Sequence, residues 1–158
     1  MTGSRMWALA AAVLLLAGCS LQVPADPEGT FDRVEGGTLR VGVTHNPPWT
    51  EAAEGGEPTG GEPALVADFA SRLDAEIEWT VGNEESLVAD LEHGALDLVI
   101  GGFTDRTPWT EQVAMTVPYA EDTGPRGESE KHVMLTRMGE NRFLLELERF
   151  LLAEGGAP

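Results

Sequence analysis

The chain has 158 residues, 42% of them hydrophobic and 23% charged, and a formal net charge of -17 from 27 acidic and 10 basic residues. This length suits one well-buried domain. The acidic balance argues against nucleic acid as a partner, because phosphate binding requires clustered Lys and Arg. It argues equally against electrostatic attachment to an anionic lipid surface.

The N-terminus resembles a bacterial lipoprotein leader. Arg5 precedes an unbroken apolar run over residues 6–16, which is too short to span a bilayer. The run ends in LAGC at residues 16–19, which is similar to a lipobox. We predict a signal peptide over residues 1–18 and a lipid on Cys19 that holds the protein outside the cytoplasmic membrane, in the periplasm or on the outer cell surface. A plain secretory signal with an incidental Cys is the alternative.

Three further segments follow the leader. Residues 19–36 contain two prolines and several acids without periodicity, which predicts a flexible tether. Residues 37–153 form the predicted folded domain, and residues 154–158 a tail. Cys19 is the only Cys in the chain, so no intramolecular disulfide is possible.

The folded part alternates between strand and helix patterns. Alternating or continuous apolar runs predict strands, and apolar residues three and four apart predict helices. The predicted elements, in chain order, are a strand at 38–43, a helix from Pro63, a strand at 76–81, a helix capped by Asn83 and ended by Gly94, a strand at 96–100, a strand at 133–136 and a helix at 141–153. This order predicts an α/β fold with three layers, a parallel sheet with flanking helices.

Several of these segments resemble the family 3 extracellular solute-binding proteins, the periplasmic receptors of polar amino-acid ABC transporters. They are GTLRVGV at 37–43, NPPW at 46–49, LVADLEHGALDLVIG at 87–101, GFT at 102–104, VPY at 117–119 and the return segment at 131–153. The resemblance implies two lobes with ligand between them, the second lobe being inserted after the VPY motif. Here the polar residues 121–130, which show no strand or helix pattern, replace it. The chain therefore resembles lobe one of a type II periplasmic binding protein, alone.

Ligands of open α/β sheets sit beyond the carboxyl ends of the strands. The candidate ligand-binding residues at this edge are Asn46, Trp49, Gly102, Thr104, Arg106 and Tyr119. Asn46 stands where the family has its first stacking aromatic, and Trp49 matches the second, with core packing beneath the turn as its alternative role. The resemblance implies that the Thr104 hydroxyl donates to a ligand carboxylate.

The family's carboxylate-clamping Arg lies five residues beyond this hydroxyl, and Trp109 occupies that position here. Arg106 stands three residues early. It could reach the same space, or be a solvated loop residue paired with Asp105. The aromatic residues Trp49, Phe103, Trp109 and Tyr119 either line the face vacated by the second lobe or are buried.

The sequence therefore predicts a lipid-anchored, extracytoplasmic solute-binding lobe. We expect it to be a substrate-binding component of an ABC transporter or a sensor, for a small polar solute such as an amino acid. Binding to one open lobe should be millimolar at best. We expect no enzyme activity, cofactor, metal or nucleic acid. The alternative is a repurposed lobe that docks a membrane or envelope protein, or forms a homodimer across the vacated face, without capturing solute.

Overall fold

The computed structural model describes residues 25–53, 55–124 and 126–154. The predicted leader, Cys19 and all of the predicted tail except Glu154 lie outside these ranges. Within them, none of the helices combines the length and apolar character that a membrane span requires.

The helices and strands alternate in the first half of the domain, as predicted. In chain order they are α1 (Thr30–Val34), β1 (Thr38–Val43), α2 (Gly61–Arg72), β2 (Glu76–Val81), α3 (Glu84–Glu92), β3 (Leu98–Ile100), β4 (Val113–Met115), β5 (Ala120–Thr123), β6 (Ser129–His132), β7 (Leu135–Arg137) and α4 (Asn141–Glu154). The bounds of β1 and β2 match the prediction, whereas the short strand β4 was not predicted.

The central sheet has five strands in the order β2-β1-β3-β7-β4. Strand β1 pairs in parallel with β2 and β3, and β7 pairs antiparallel with β3 and β4. The prediction of a wholly parallel sheet is therefore wrong at β7, which runs opposite to the other four strands. The described residues between β4 and β7 contain no helix that would carry the chain back to the opposite edge, so β7 begins near the carboxyl edge and runs in the reverse direction.

Helices cover both faces of this sheet, which confirms the three-layer α/β fold. On one face, α1, α2 and α4 enclose a core with strand residues such as Val41, Leu98 and Ile100. On the other face, α3 packs its Leu87, Val88 and Leu91 over a smaller cluster.

The prediction of a flexible tether up to residue 36 is wrong for its described part. Phe31 and Val34 of α1 are buried in the main core. Two carboxylates hold the start of this short helix: Asp26 accepts from the backbone N–H of Phe31 at 2.7 Å, and Glu140 accepts from that of Thr30 at 3.1 Å. Because Glu140 lies 110 residues further along the chain than Thr30, this hydrogen bond joins α1 to the C-terminal part of the domain.

Residues 121–130 also differ from the prediction, which found no strand pattern in them. Strands β5 and β6 pair antiparallel from Ala120↔His132 to Thr123↔Ser129 and form a β-hairpin. The backbone N–H of Gly124 donates to the carbonyl of Glu128 at 2.8 Å and closes the turn. The hairpin thus occupies the place in the chain at which the second lobe was expected.

Candidate functional site

The loop after β1 carries the first two candidate residues, Asn46 and Trp49. Its turn is fixed by the backbone N–H of Asn46, which donates to the carbonyl of Thr50 at 3.0 Å. The side-chain amide of Asn46 donates to the carbonyl of Gly101 at 2.8 Å. Asn46 therefore joins the loops after β1 and β3, and its amide nitrogen is already engaged within the protein.

The loop after β3 approaches this turn closely at Gly102. This residue has φ +67°, in the left-handed region that favours glycine. A Cβ at this position would lie 2.6 Å from the amide nitrogen of Asn46 and 2.8 Å from Cδ1 of Trp49. Gly102 thus allows the two loops to meet, and places backbone rather than a side chain beside Trp49.

A buried carboxylate, which the sequence analysis missed, supports this loop from below. Glu62 lies at the start of α2 and is fully buried. One carboxylate oxygen accepts from the backbone N–H groups of Gly101 at 2.8 Å and Gly102 at 2.9 Å, and the other accepts from the hydroxyl of Tyr119. Burial raises the pKa of Glu62, although these three hydrogen bonds and the charge of His132 oppose the rise.

Tyr119 does not offer its side chain to a ligand at the surface. It is buried in the main core, and its hydroxyl donates to Glu62. Burial, followed by the neighbouring Glu62 carboxylate, raises the pKa of this hydroxyl, which therefore remains a proton donor. Its contribution to the site is indirect: its hydroxyl positions the Glu62 carboxylate through a hydrogen bond.

Trp49 is half-buried and lies against the hairpin. Its ring stacks on that of His132 with 3.8 Å between centroids and 30° between planes. His132 is itself 2% exposed and belongs to β6. The hairpin therefore supports one face of Trp49, which was predicted either to stack on a ligand or to pack beneath the turn.

Thr104 and Arg106 lie at the edge of the same region. Thr104 forms a bridge with His132, and its hydroxyl accepts a 3.4 Å hydrogen bond from the backbone N–H of Arg106. The exposed guanidinium of Arg106 donates to the carbonyl of Ser129 at 3.1 Å, and so pairs with hairpin backbone rather than with Asp105. The structure thus brings both residues next to β6.

The other aromatic residues do not form the expected patch. Phe103 is buried, and Trp109 packs on the α3 side of the sheet. The indole N–H of Trp109 donates to Glu84 at 3.3 Å. The residue at the position of the family's clamping Arg is therefore engaged with α3.

The loops after β1 and β3 and the hairpin together form a polar surface around Trp49. It provides one aromatic ring, the Thr104 hydroxyl and the Arg106 guanidinium, which are groups that can hold a small solute bearing a carboxylate. We call this surface the carboxyl-edge site and define it by Asn46, Trp49, Gly102, Thr104 and Arg106. Glu62 and His132 support it from beneath and behind.

Comparison with known proteins gives consistent results. Residues 39–151 match the family described as bacterial extracellular solute-binding proteins, family 3. The arginine-bound form of domain 1 from TmArgBP is 25% identical, with a TM-score of 0.66 over 77% of this chain and 97% of that one. A single-substitution variant of the same domain is 26% identical, with a TM-score of 0.68 over 78% of this chain and 96% of that one.

A more distant match shares the fold. A variant of arginine-bound ArgBP from T. maritima is 16% identical, with a TM-score of 0.67 over 78% of this chain and 99% of that one. No curated protein sequence gave a significant match.

Proposed function

We propose, from the premise that this chain belongs to the family 3 bacterial extracellular solute-binding proteins, that it is a lipid-anchored lobe that binds a small polar solute such as an amino acid at the carboxyl-edge site. It would serve as the substrate-binding component of an ABC transporter or as a sensor. The observation that carries the proposal is the convergence of Trp49, Thr104 and Arg106 at one edge of the sheet, on loops that Glu62 holds in place.

Arginine is the first ligand to test. The related domain 1 from TmArgBP has an arginine-bound form, so a first lobe of this fold can hold an amino acid by itself. In the present chain, Thr104 and Arg106 supply donors for an α-carboxylate. The acids Asp105 and Asp122 lie close by in the chain and hairpin, and a net charge of -17 favours a cationic solute.

We expect the affinity to be low. A pocket generally covers about 70–90% of a ligand's surface, whereas this site is an open edge. An exposed ion pair such as the one with Arg106 contributes about 0–1 kcal/mol. A dissociation constant in the millimolar range corresponds to about 4 kcal/mol, so stacking on Trp49 and the Thr104 hydrogen bond must supply most of the binding free energy.

A thermal-shift titration of the chain with arginine tests the proposal, with alanine, glutamate and histidine as comparison ligands. Ligand at ten times its dissociation constant stabilises the folded state by about 1.4 kcal/mol, which raises the Tm by about 4 °C. We expect a saturable shift that is lost in Thr104→Ala and in Arg106→Ala. Arg126→Ala is the matched control, because Arg126 is an exposed Arg at the hairpin turn whose partner is Glu128. No shift with any of these amino acids would refute amino-acid binding.

One observation favours the alternative of a repurposed lobe that docks another protein. Trp109 replaces the clamping Arg implied by the family resemblance and is committed to α3. A lobe that no longer captures solute would bind its partner with or without amino acid present. Loss of the arginine shift together with retained binding to a purified membrane transporter would support this second function.

The lipid anchor is tested separately, because Cys19 lies outside the described residues. Expression in bacteria should give a membrane-bound protein whose mature N-terminus is a lipidated Cys19. Cys19→Ser should release it or leave it unprocessed. Mass spectrometry of the N-terminal peptide distinguishes a lipoprotein from an ordinary secreted protein.

A further inference from the structure

We infer that the hairpin carries a binding site for a divalent transition-metal ion such as Zn²⁺, formed by Asp122, Glu130 and His132. One ligand atom from each of these three side chains lies within 4.8 Å of the other two. They provide one imidazole nitrogen and two carboxylate oxygens, and both ligand types bind Zn²⁺ in proteins.

The strand register explains why these three side chains share one face. Asp122 is directly opposite Glu130, and His132 follows two residues later on the same strand. Ala120 lies opposite His132 and leaves room for its ring. The pattern arises from the pairing of two strands, so no sequence motif reveals it.

The distances are close to those of a metal site. Ligand atoms about 2.0–2.1 Å from a tetrahedral Zn²⁺ lie about 3.3–3.4 Å from one another. Nε2 of His132 is 3.2 Å from a carboxylate oxygen of Asp122. Glu130 has a half-buried, flexible side chain whose carboxylate oxygen lies within 4.8 Å of the other two ligand atoms, so a change of rotamer can bring it to the same spacing.

Two further features fit a cation bound there. Asp122 and Glu130 form a directly opposed pair of like charges, an arrangement that destabilises an antiparallel ladder unless a cation lies between them. His132 is 2% exposed, and its Nδ1 is buried without a hydrogen-bond partner among the described residues. The polar contact of this ring in the described residues is therefore made through Nε2, with Asp122.

The same feature limits the affinity. A metal-bound His ordinarily donates its second N–H to an acceptor, and losing that acceptor weakens metal binding about 10- to 100-fold. We therefore expect micromolar rather than nanomolar affinity for Zn²⁺. Because Ca²⁺ and Mg²⁺ prefer oxygen ligands and His132 supplies nitrogen, we expect them to bind at least tenfold more weakly.

Isothermal titration of the full chain with Zn²⁺ tests the site. All samples carry Cys19→Ser and lack a histidine tag, so that neither contributes ligands. We expect one ion per chain and a dissociation constant at least tenfold higher in Asp122→Asn and in Glu130→Gln. Glu121→Gln is the matched control. Glu121 lies on β5 next to Asp122, but its side chain is on the opposite face of the hairpin and accepts a hydrogen bond from the hydroxyl of Ser129. It removes the same charge and should bind Zn²⁺ normally.

A second readout reports on the ring of His132. Trp49 stacks on this ring, so Co²⁺ bound at Nε2 should quench part of the tryptophan fluorescence, and Asp122→Asn should abolish the quenching. Three results would overturn the inference: no Zn²⁺ binding up to 1 mM, equal binding in all variants, or Zn²⁺ binding without Co²⁺ quenching. Substituting the exposed Asp122 and the half-buried Glu130 avoids replacing the buried His132 itself.

Discussion

Replacing Glu62 tests whether its carboxylate holds the carboxyl-edge site together. In Glu62→Ala, the backbone N–H groups of Gly101 and Gly102 and the hydroxyl of Tyr119 lose their acceptor. A buried polar group without a partner costs about 1–3 kcal/mol. Since Gly102 is half-buried and can reach water, we expect a total loss of about 3–5 kcal/mol in the free energy of unfolding.

Glu62→Gln separates hydrogen bonding from charge. The amide oxygen of Gln can accept from both backbone N–H groups, and its nitrogen can donate to the oxygen of Tyr119. We therefore expect Glu62→Gln to lie within about 1 kcal/mol of the wild type at pH 7, measured by urea unfolding. If Gln and Ala destabilise equally, or if Ala costs less than about 0.5 kcal/mol, the carboxylate does not hold the loop as argued.

The pH dependence gives an independent test of the same residue. Burial raises the pKa of Glu62 in the folded state above the ordinary value for a glutamate side chain. A group whose pKa is raised on folding contributes stability that is complete below the unfolded pKa and is lost as pH rises through the folded pKa. The wild type should therefore gain stability relative to Glu62→Gln as pH falls from 7.5 to 4.5. A constant difference over that range would contradict the buried-charge explanation.

Three further substitutions test other parts of the structure. Burial alone would raise the pKa of Asp97, but hydrogen bonds from Arg40 and Arg33 lower it. Asp97→Asn should therefore reduce the free energy of unfolding, measured in urea, by about 2–3 kcal/mol at pH 7 and by much less near pH 2. An equal loss at both pH values would contradict the ion-pair role. Phe31→Ala should cost about 3 kcal/mol, whereas a flexible tether predicts no change. Gly102→Ala should lower the Tm more than Gly127→Ala, because both have positive φ but only Gly102 would bring a Cβ against Trp49; equal effects would mean that backbone strain alone is responsible.

The sequence was sufficient to predict elements whose pattern is local. Strand β2 alternates in burial over six residues, β1 does so over its first four, and the bounds of both were predicted correctly. The predicted cap of α3 is confirmed, since Asn83 accepts from the backbone N–H of Ser86 at 2.9 Å. These elements satisfy their hydrogen bonds with neighbours in the chain or show a clear apolar face.

The missed elements depend on distant partners. Helix α1 has five residues, too few for a periodic pattern, and its start is held by Glu140, 110 residues from Thr30. Strands β5 and β6 are polar on both faces, so only their mutual pairing identifies them. The proximity of the loops after β1 and β3 could be predicted because strand ends meet at one edge. Glu62 and His132 reach these loops from elements that carry no sequence signal for such a role.

The polarity of the carboxyl-edge site bears on what a single lobe can bind. Stable dimer interfaces are large and apolar at their centre. The large hydrophobic side chains that are exposed in the described residues are Val117, Met138 and Leu152, and they lie on or beside α4 rather than at the site. Around Trp49 the exposed groups are instead those of Asn46 and Arg106 and the charged hairpin. Such a surface remains hydrated when the lobe is alone, and it suits a charged solute better than an apolar partner. A homodimer formed across this face would have to bury these charges, which costs several kcal/mol per ion unless each finds a partner. The structure therefore favours solute capture over self-pairing as the use of the vacated face.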